Sequence, residues 1–96
     1  MNADFIKRVK QLQKEMQIKQ DAFSKQEFEV EKQGIKIVAT GDIQIKSIDI
    51  DPVLIDPDDK ELLEDLLIVT INALVDKINE EQDKIAPKEM PGGLPF

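Results

Sequence analysis

The chain has 96 residues, which is enough for one domain with a modest hydrophobic core. It contains no Cys and no His, which excludes a disulfide framework and removes the side chains most used in nucleophilic and acid–base catalysis. No apolar run approaches the roughly 18 residues that cross a bilayer, and no signal peptide precedes the charged start. We therefore expect a cytoplasmic protein with no membrane partner.

The formal net charge of −7 is distributed unevenly along the chain. Residues 1–25 carry six cationic and three acidic side chains, a net +3, so the remaining residues sum to −10. An acidic protein is a poor partner for nucleic acid as a whole. Physiological salt, however, screens the electrostatic interaction of each exposed charge beyond about 8 Å, so a basic segment can attract an anion locally.

Residues 3–24 are predicted to form one helix, because no Gly or Pro interrupts them and apolar residues recur at spacings of four and three. These residues form a narrow apolar seam: Phe5, Val9, Leu12, Met16 and Phe23. So thin a seam favours a helix that projects as an arm or packs along one edge only.

Three lysines, Lys7, Lys10 and Lys14, align within roughly 60° on the side of this helix opposite the seam. Lys25 joins them if the helix lasts that far. Surface lysines are common, so periodicity alone favours an ordinary solvated helix face.

Residues 26–32 alternate between apolar and polar, which predicts a strand with Phe28 and Val30 facing inward. Gln33-Gly34 is typical of a two-residue hairpin turn, and a second strand follows over 35–39. The turn predicts these cross-strand pairs: Phe28 with Ala39, Val30 with Ile37, Glu31 with Lys36, and Lys32 with Ile35.

The second turn is predicted to be a three-residue loop, Thr40-Gly41-Asp42, because a two-residue loop would place Gln44 and Lys46 on the apolar face. Strand three would then start at Ile43. The predicted pairs are Ala39 with Ile43 and Ile37 with Ile45. The apolar phase slips after Ser47, which indicates either a bulge or a strand end that is covered on both faces.

Residues 57–85 are predicted to form a long helix, with Asp56 as its N-cap and Pro57 at its first position. Eleven of the seventeen residues from Leu62 to Ile78 are apolar, so the apolar surface exceeds the stripe of about 100° that a surface helix needs. One ridge comprises Leu62, Leu66, Val69 and Ala73. The second comprises Leu63, Leu67, Ile71, Leu74 and Ile78. One ridge can cover the chain's own sheet, and the other favours a homodimer.

The remaining features do not indicate a metal, a cofactor or an enzyme. The aspartates between 49 and 59 lie at a turn and a helix start, where Asp is common, and the spacing of a calcium loop is absent. The four hydroxyl residues lie in no nucleophile motif. Residues 87–96 are rich in Pro and Gly, which predicts a tail outside a single domain of residues 1–86, and its apolar side chains favour docking on a groove.

Three stretches carry a resemblance to a known family: Ile50-Asp51-Pro52, Asp59-Lys60-Glu61-Leu62-Leu63-Glu64-Asp65-Leu66, and Ile71-Asn72-Ala73. Together with the order of the predicted elements and the final Leu94-Pro95-Phe96, they resemble the YbaB/EbfC family of bacterial nucleoid-associated proteins. The resemblance covers nearly the whole chain, and residues 50–73 are its most specific part.

The resemblance implies an α+β fold of helix, three-stranded antiparallel meander and helix in two layers. It also implies an intertwined, tweezer-like homodimer with projecting helices that binds double-stranded DNA with little sequence preference in the bacterial nucleoid. For this chain it gives Lys7, Lys10 and Lys14 a role in DNA binding, with Arg8 and Lys19 as flanking contributors. The alternative is a dimeric adaptor that binds recombination or replication proteins and does not contact DNA.

Overall fold

The computed structural model describes residues 2–85. Helix α1 (Ala3–Lys25) leads into strands β1 (Glu27–Lys32), β2 (Ile35–Thr40) and β3 (Ile45–Ile50), and helix α2 (Lys60–Ile85) follows. The strands form one antiparallel sheet in the order β1-β2-β3. This arrangement confirms the predicted α+β fold. The predicted C-terminal tail, residues 87–96, lies outside the described residues.

Helix α1 begins and ends where local chemistry favours it. The Asn2 side chain accepts a hydrogen bond from the Phe5 backbone N–H at 2.8 Å, which satisfies one free donor of the first turn. Asp4 in the first turn and Lys25 in the last complement the helix dipole. The helix extends one residue past the predicted end, so Lys25 is helical.

The first hairpin confirms the prediction in its turn and its register. Gln33 and Gly34 both have positive φ, 48° and 98°, as a two-residue turn that matches strand twist requires. The observed partners are Phe28 with Ala39, Val30 with Ile37, Glu31 with Lys36, and Lys32 with Ile35.

The second turn differs from the prediction, which was wrong in loop length and register. Strand β2 continues through Thr40, and β3 starts at Ile45, not at Ile43. Ala39 pairs with Ile45, and Ile37 pairs with Ile48. The pairing shifts between Val38 and Ala39, so Lys46 is the extra residue of a bulge.

A tertiary contact explains the longer loop. The Gly41 N–H donates to the Gln26 carbonyl oxygen at 2.9 Å, which fixes the end of β2 beneath the C-terminus of α1. The chain then turns back through Ile43, whose N–H donates to Thr40 O and whose φ is 62°. Ile43 is thereby removed from the ladder, and local sequence patterning carries no sign of this contact.

The entry to α2 has the predicted cap at Asp56, but the cap belongs to a 3₁₀ turn, and a second cap at Asp51 was not predicted. Asp51 accepts from Val53 N and Asp56 accepts from Asp58 N, each at 3.0 Å, and each caps a short 3₁₀ turn with Pro at its start. The second 3₁₀ turn covers Pro57–Asp59, so the α-helix proper begins at Lys60.

The core lies between α2 and the inner face of the sheet. Ile35, Ile37 and Ala39 of β2 are fully buried. The buried residues of α2 form a single ridge at four-residue spacing: Leu66, Thr70, Leu74 and Ile78. Thr70 enters this core because its hydroxyl donates to the Leu66 carbonyl oxygen at 2.6 Å and leaves no unsatisfied polar atom.

The two predicted ridges of α2 are both divided by this packing. Of the second ridge, Leu74 and Ile78 are buried in the chain's own core, whereas Leu63, Leu67 and Ile71 are half-buried against it. Of the first ridge, Leu66 is buried, Ala73 is half-buried, and Leu62 and Val69 remain exposed.

The described residues are elongated. Their extents are 70 × 25 × 13 Å and their radius of gyration is 19.6 Å, whereas a compact domain of this length has about 12 Å. Both helices are longer than the second extent, so both run mainly along the long axis.

We expect Gly41→Ala to lower the free energy of unfolding by about 3 kcal/mol, because a Cβ there would overlap the Phe23 backbone carbonyl, which cannot rotate away. Gly34→Ala is the matched comparison. Its Cβ would lie 3.1 Å from a movable Leu54 methyl. The positive φ should therefore cause most of its loss in the free energy of unfolding, about 1 kcal/mol.

Urea unfolding of both variants measures the difference. Equal losses of stability would contradict the close packing of β2 against the end of α1.

Candidate nucleic-acid interface

Helix α1 is an arm that joins the body through its last turns. Phe23 is buried, and its ring lies 5.3 Å from that of Phe28. Gln82 Nε2 of α2 donates to Gln20 Oε1 at 2.8 Å. Every residue from 2 to 15 is exposed. The first four turns of α1 therefore present all their faces to solvent within the described part of the chain.

The structure places Lys7, Lys10 and Lys14 on one face of this arm, as the sequence predicted. All three are exposed and helical. At 100° per residue they fall within a sector of about 60°, and from Lys7 to Lys14 the helix rises about 10 Å. We call this face the lysine stripe. Lys25 lies on the same face, because the helix continues to include it.

Arg8 and Lys19 lie elsewhere on α1. Both are exposed, but helical spacing places each at least about 100° from every member of the lysine stripe. They flank the apolar seam instead. Lys19 also lines a cleft between the ends of the two helices. The five predicted DNA-binding residues therefore share one arm but not one face.

Three cations of the body, Lys60, Lys77 and Lys84, have partners close to them, in contrast to those of the stripe. The ion pairs among residues 2–85 are Lys60 with Glu64 at 3.6 Å and Lys84 with Glu81 at 2.9 Å, and neither involves α1. Lys77 Nζ donates to the Glu29 carbonyl oxygen at 2.8 Å. Hydrogen bonding to the Glu81 carboxylate raises the pKa of Lys84, so it stays charged.

The inner face of β3 is a second unfilled surface. Ile45 and Ile48 pair with the buried residues Ala39 and Ile37, so they share the apolar face of the sheet. Helix α2 packs on β1 and β2, however, and both isoleucines keep nearly half of their surface exposed. This β3 face (Ile45 and Ile48) continues the core without a cover among residues 2–85.

The described residues offer little for other chemistry. Between residues 2 and 85, no three Asp or Glu side chains come together as metal ligands would. Neither helix over the same range is apolar and long enough to cross a bilayer.

Nearly the whole chain matches known proteins. A model of the YbaB/EbfC DNA-binding family matches residues 1–94. A nucleoid-associated protein of Metamycoplasma arthritidis (strain 158L3-1) is 46% identical over 85 residues, which is 88% of this chain and 90% of that protein. A nucleoid-associated protein of Mycoplasmopsis pulmonis (strain UAB CTIP) is 39% identical over 93 residues, 97% and 93% of the two chains.

A relative from a third organism is also similar. A nucleoid-associated protein of Ruminiclostridium cellulolyticum is 37% identical over 100 aligned positions, which cover 96% of this chain and 84% of that protein. Because the family model matches residues 1–94 of the 96 residues, this chain belongs to the YbaB/EbfC DNA-binding family.

Proposed function

We propose that the protein is a homodimer that binds double-stranded DNA in the bacterial nucleoid, with little sequence preference, through the lysine stripe of α1. The observation that carries this proposal is an arm whose first four turns are exposed and whose cations lie on one face, in a chain of a DNA-binding family. Lysines free of ion pairs within residues 2–85 are available to phosphates.

Side-chain chemistry supports contact with the phosphate backbone more than with bases. The stripe offers lysines, which act as point charges, and Arg8 is the single arginine of the sequence. There is no Trp or Tyr, and among residues 2–85 Phe23 and Phe28 are buried, which leaves Phe5 as the exposed aromatic side chain. Stacking on single-stranded bases therefore has little support. The lysines of the stripe, by contrast, can neutralise phosphate charges along a duplex.

An imbalance of apolar surface supports the proposed dimer. Eight apolar residues are buried among residues 2–85, whereas thirteen large ones are exposed. Two of the exposed residues form the β3 face, which continues the core. Others lie on α2 at Leu62, Ile68 and Val69. A second copy that packs on the β3 face would cover this surface and give a C2 dimer with two arms.

The first prediction concerns the lysine stripe. Lys7→Glu, Lys10→Glu and Lys14→Glu together should weaken binding to a 30-base-pair duplex by more than about tenfold at low salt, because phosphate contacts become repulsive. Two stripes offer six cations, so the wild-type plot of log K against log salt should have a slope of about −5. Gel shift across a salt series measures both quantities.

The matched control is Lys32→Glu, Lys46→Glu and Lys60→Glu, which changes the net charge equally on exposed positions of the body. It should retain most of the wild-type affinity. Equal weakening by both triple variants would show that only total charge matters, which would remove the role of the stripe. Failure of the wild type to bind duplex would overturn the proposed function.

The second prediction concerns the β3 face. Ile48→Asp should convert the dimer to a monomer at micromolar concentration, because it places a charge in the proposed apolar interface. Ser47→Asp is the control, since Ser47 is the neighbouring exposed residue and points to the opposite side of the same strand. Light scattering after gel filtration reports the mass.

A dimeric Ile48→Asp variant with an unchanged dissociation constant would place the interface elsewhere.

A second candidate function is that of an adaptor dimer for recombination or replication proteins. Val53 and Ile55, exposed at the turn before α2, favour it. That function would be supported by nuclease-resistant co-purification of a partner with the stripe variant.

A further inference from the structure

Among residues 2–85, the apolar seam of α1 is covered at its inner end and open along its outer part. Phe23 is buried and Met16 is half-buried, whereas Leu12 is 56% exposed and Phe5 is 57% exposed. At 100° per residue the seam is about 60° wide, and the spacing of four and three persists between residues 5 and 16. So narrow a repeat is typical of a coiled-coil seam, in which two helices cover each other.

The two borders of the seam differ in charge. Arg8 and Glu15 lie within about 20° of each other on one border, and Gln13 and Gln20 lie on the other. Arg8 and Glu15 are exposed, and neither takes part in the ion pairs among residues 2–85. One border therefore carries two opposite charges, seven residues apart, that are available to a second surface.

A second copy of α1 in the antiparallel direction matches the apolar pattern. In the register with Val9 against Leu12 of the second copy, Phe5 packs against Met16 of that copy. Because the two chains are identical, each contact occurs twice, which gives four apolar layers. The two bodies then lie at opposite ends of the pair and do not compete for space.

The same register matches the charges. A two-fold axis across both helices keeps each border on its own side of the pair, so like borders meet. Arg8 of each chain then lies within about 3 Å, along the helix axis, of the level of Glu15 in the other chain. Lys19 comes equally close to the level of Asp4 of the second copy. Four pairs of opposite charges would thus flank the four apolar layers.

Other arrangements of the two helices bring like charges together. A shift of one heptad toward the body would place Glu15 beside Glu15 and Lys19 against Val9. The opposite shift would place Arg8 beside Arg8 and lose half of the apolar layers. A parallel pair would place Lys19 against Lys19 and both bodies at one end. Charge therefore selects one register and one direction.

The inner end of the seam leaves room for this register. Helix α2 meets the seam where Gln82 bonds to Gln20. The helix of the second copy would end just short of that contact, because its Ala3 reaches only the level of Ile18. A cleft of about 390 Å³ opens beside Lys19, on the border that also carries Arg8 and Glu15.

We propose that the seam of α1 is a second interface between copies of this chain, separate from the β3 face, in which two arms pack antiparallel with Val9 against Leu12. The pairing is weak on its own, because four layers make a small interface and short helices are marginal. It leaves the β3 dimer as the species at micromolar concentration and forms where arms are concentrated.

The lysine stripes face outward from such a pair. Each stripe lies opposite its own seam, so the two stripes point in opposite directions, separated by two helix diameters of about 10 Å each. In this part the inference rests on the proposed DNA binding: paired arms would hold two duplexes side by side. The pairing itself does not require DNA.

Disulfide trapping tests the register in the full chain, which has no native Cys. At concentrations above the micromolar range, a mixture of Val9→Cys chains and Leu12→Cys chains should crosslink. A mixture of Lys7→Cys and Lys14→Cys chains is the matched control, because these positions share one level of the pair but face away from it. We expect at least about tenfold faster trapping of the seam mixture, since a disulfide requires Cα atoms within about 7 Å.

Equal rates in the two mixtures would overturn the proposal, because they describe a seam that no second copy covers. Faster trapping of Val9→Cys chains with one another than with Leu12→Cys chains would indicate a parallel pair and would also overturn it. Mass spectrometry distinguishes these crosslinked products.

Exchange of the border charges tests the pairing of Arg8 with Glu15. Placed in both chains of the seam mixture, Arg8→Glu or Glu15→Arg alone should slow trapping several-fold, because like charges then meet. The two changes together restore opposite charges at the same net charge, so most of the rate should return. A double variant no faster than the single variants would contradict the register.

Two further variants separate this interface from the proposed function. The lysine-stripe variant should lose DNA binding and keep the crosslink, and Ile48→Asp should also keep it, because neither changes the seam. Loss of the crosslink in Ile48→Asp would show that the arms meet only within the β3 dimer, which would overturn a separate interface.

Capture of a labelled duplex by an immobilised duplex tests the link between two DNA molecules. Leu12→Asp places a charge in the seam and leaves the lysine stripe intact, so it should reduce capture at least about tenfold and retain the gel shift. Equal capture by the variant and the wild type, or a wild type that binds duplex without capturing a second one, would overturn the link.

Discussion

The burial of β2 beneath α2 is the contact on which the rest of the structure depends. The inner face of β2 is fully buried, and the ridge of α2 from Leu66 to Ile78 covers it. A single helix is about 10 Å wide, so it cannot cover three strands spaced nearly 5 Å apart. The sheet is therefore covered over β1 and β2 and left open at β3. Among residues 2–85, α1 contacts the rest of the chain through its last turns.

The exposed faces of α1 differ in chemistry. The lysine stripe faces away from the apolar seam, so a partner that packed on the seam would leave these lysines exposed. The acidic body carries the net negative charge of the chain. Because salt screens that charge over about 8 Å, and Lys7 lies about 24 Å along the helix from Phe23, the body does not cancel the stripe. An overall acidic protein can thus offer a basic surface.

Sequence patterns predicted the local features of this fold well and the tertiary ones poorly. The Gln33-Gly34 turn is set by backbone chemistry within a few residues and was predicted correctly. Asp56 also forms a cap, but it caps the 3₁₀ turn that precedes α2 and not α2 itself. The second turn depends on Gly41 meeting the end of α1, which no local pattern reveals. The bulge at Lys46 was indicated by the slip in apolar phase, although its position opposite Val38 and Ala39 was not.

In the candidate site, too, sequence patterns predicted the local features better than the tertiary ones. Helical periodicity was sufficient to place Lys7, Lys10 and Lys14 on one face, but it placed Arg8 and Lys19 only on the same helix. The apolar excess of α2 predicted an unfilled surface. The structure instead places the second ridge of α2, from Leu63 to Ile78, wholly or partly in the chain's own core, and it leaves Ile45 and Ile48 of β3 exposed. Which strands lie under α2 depends on the packing of the whole domain.

The central claim is that the open β3 face joins two chains into one scaffold that holds two basic arms for a duplex. Sedimentation equilibrium of the unmodified protein, alone and with a short DNA duplex, tests both parts in one experiment. The account predicts a mass of two 10.9 kDa chains at micromolar concentration, and a further species that contains the dimer and the duplex. A single-chain mass that persists across this concentration range, with the duplex sedimenting as free DNA, would contradict it.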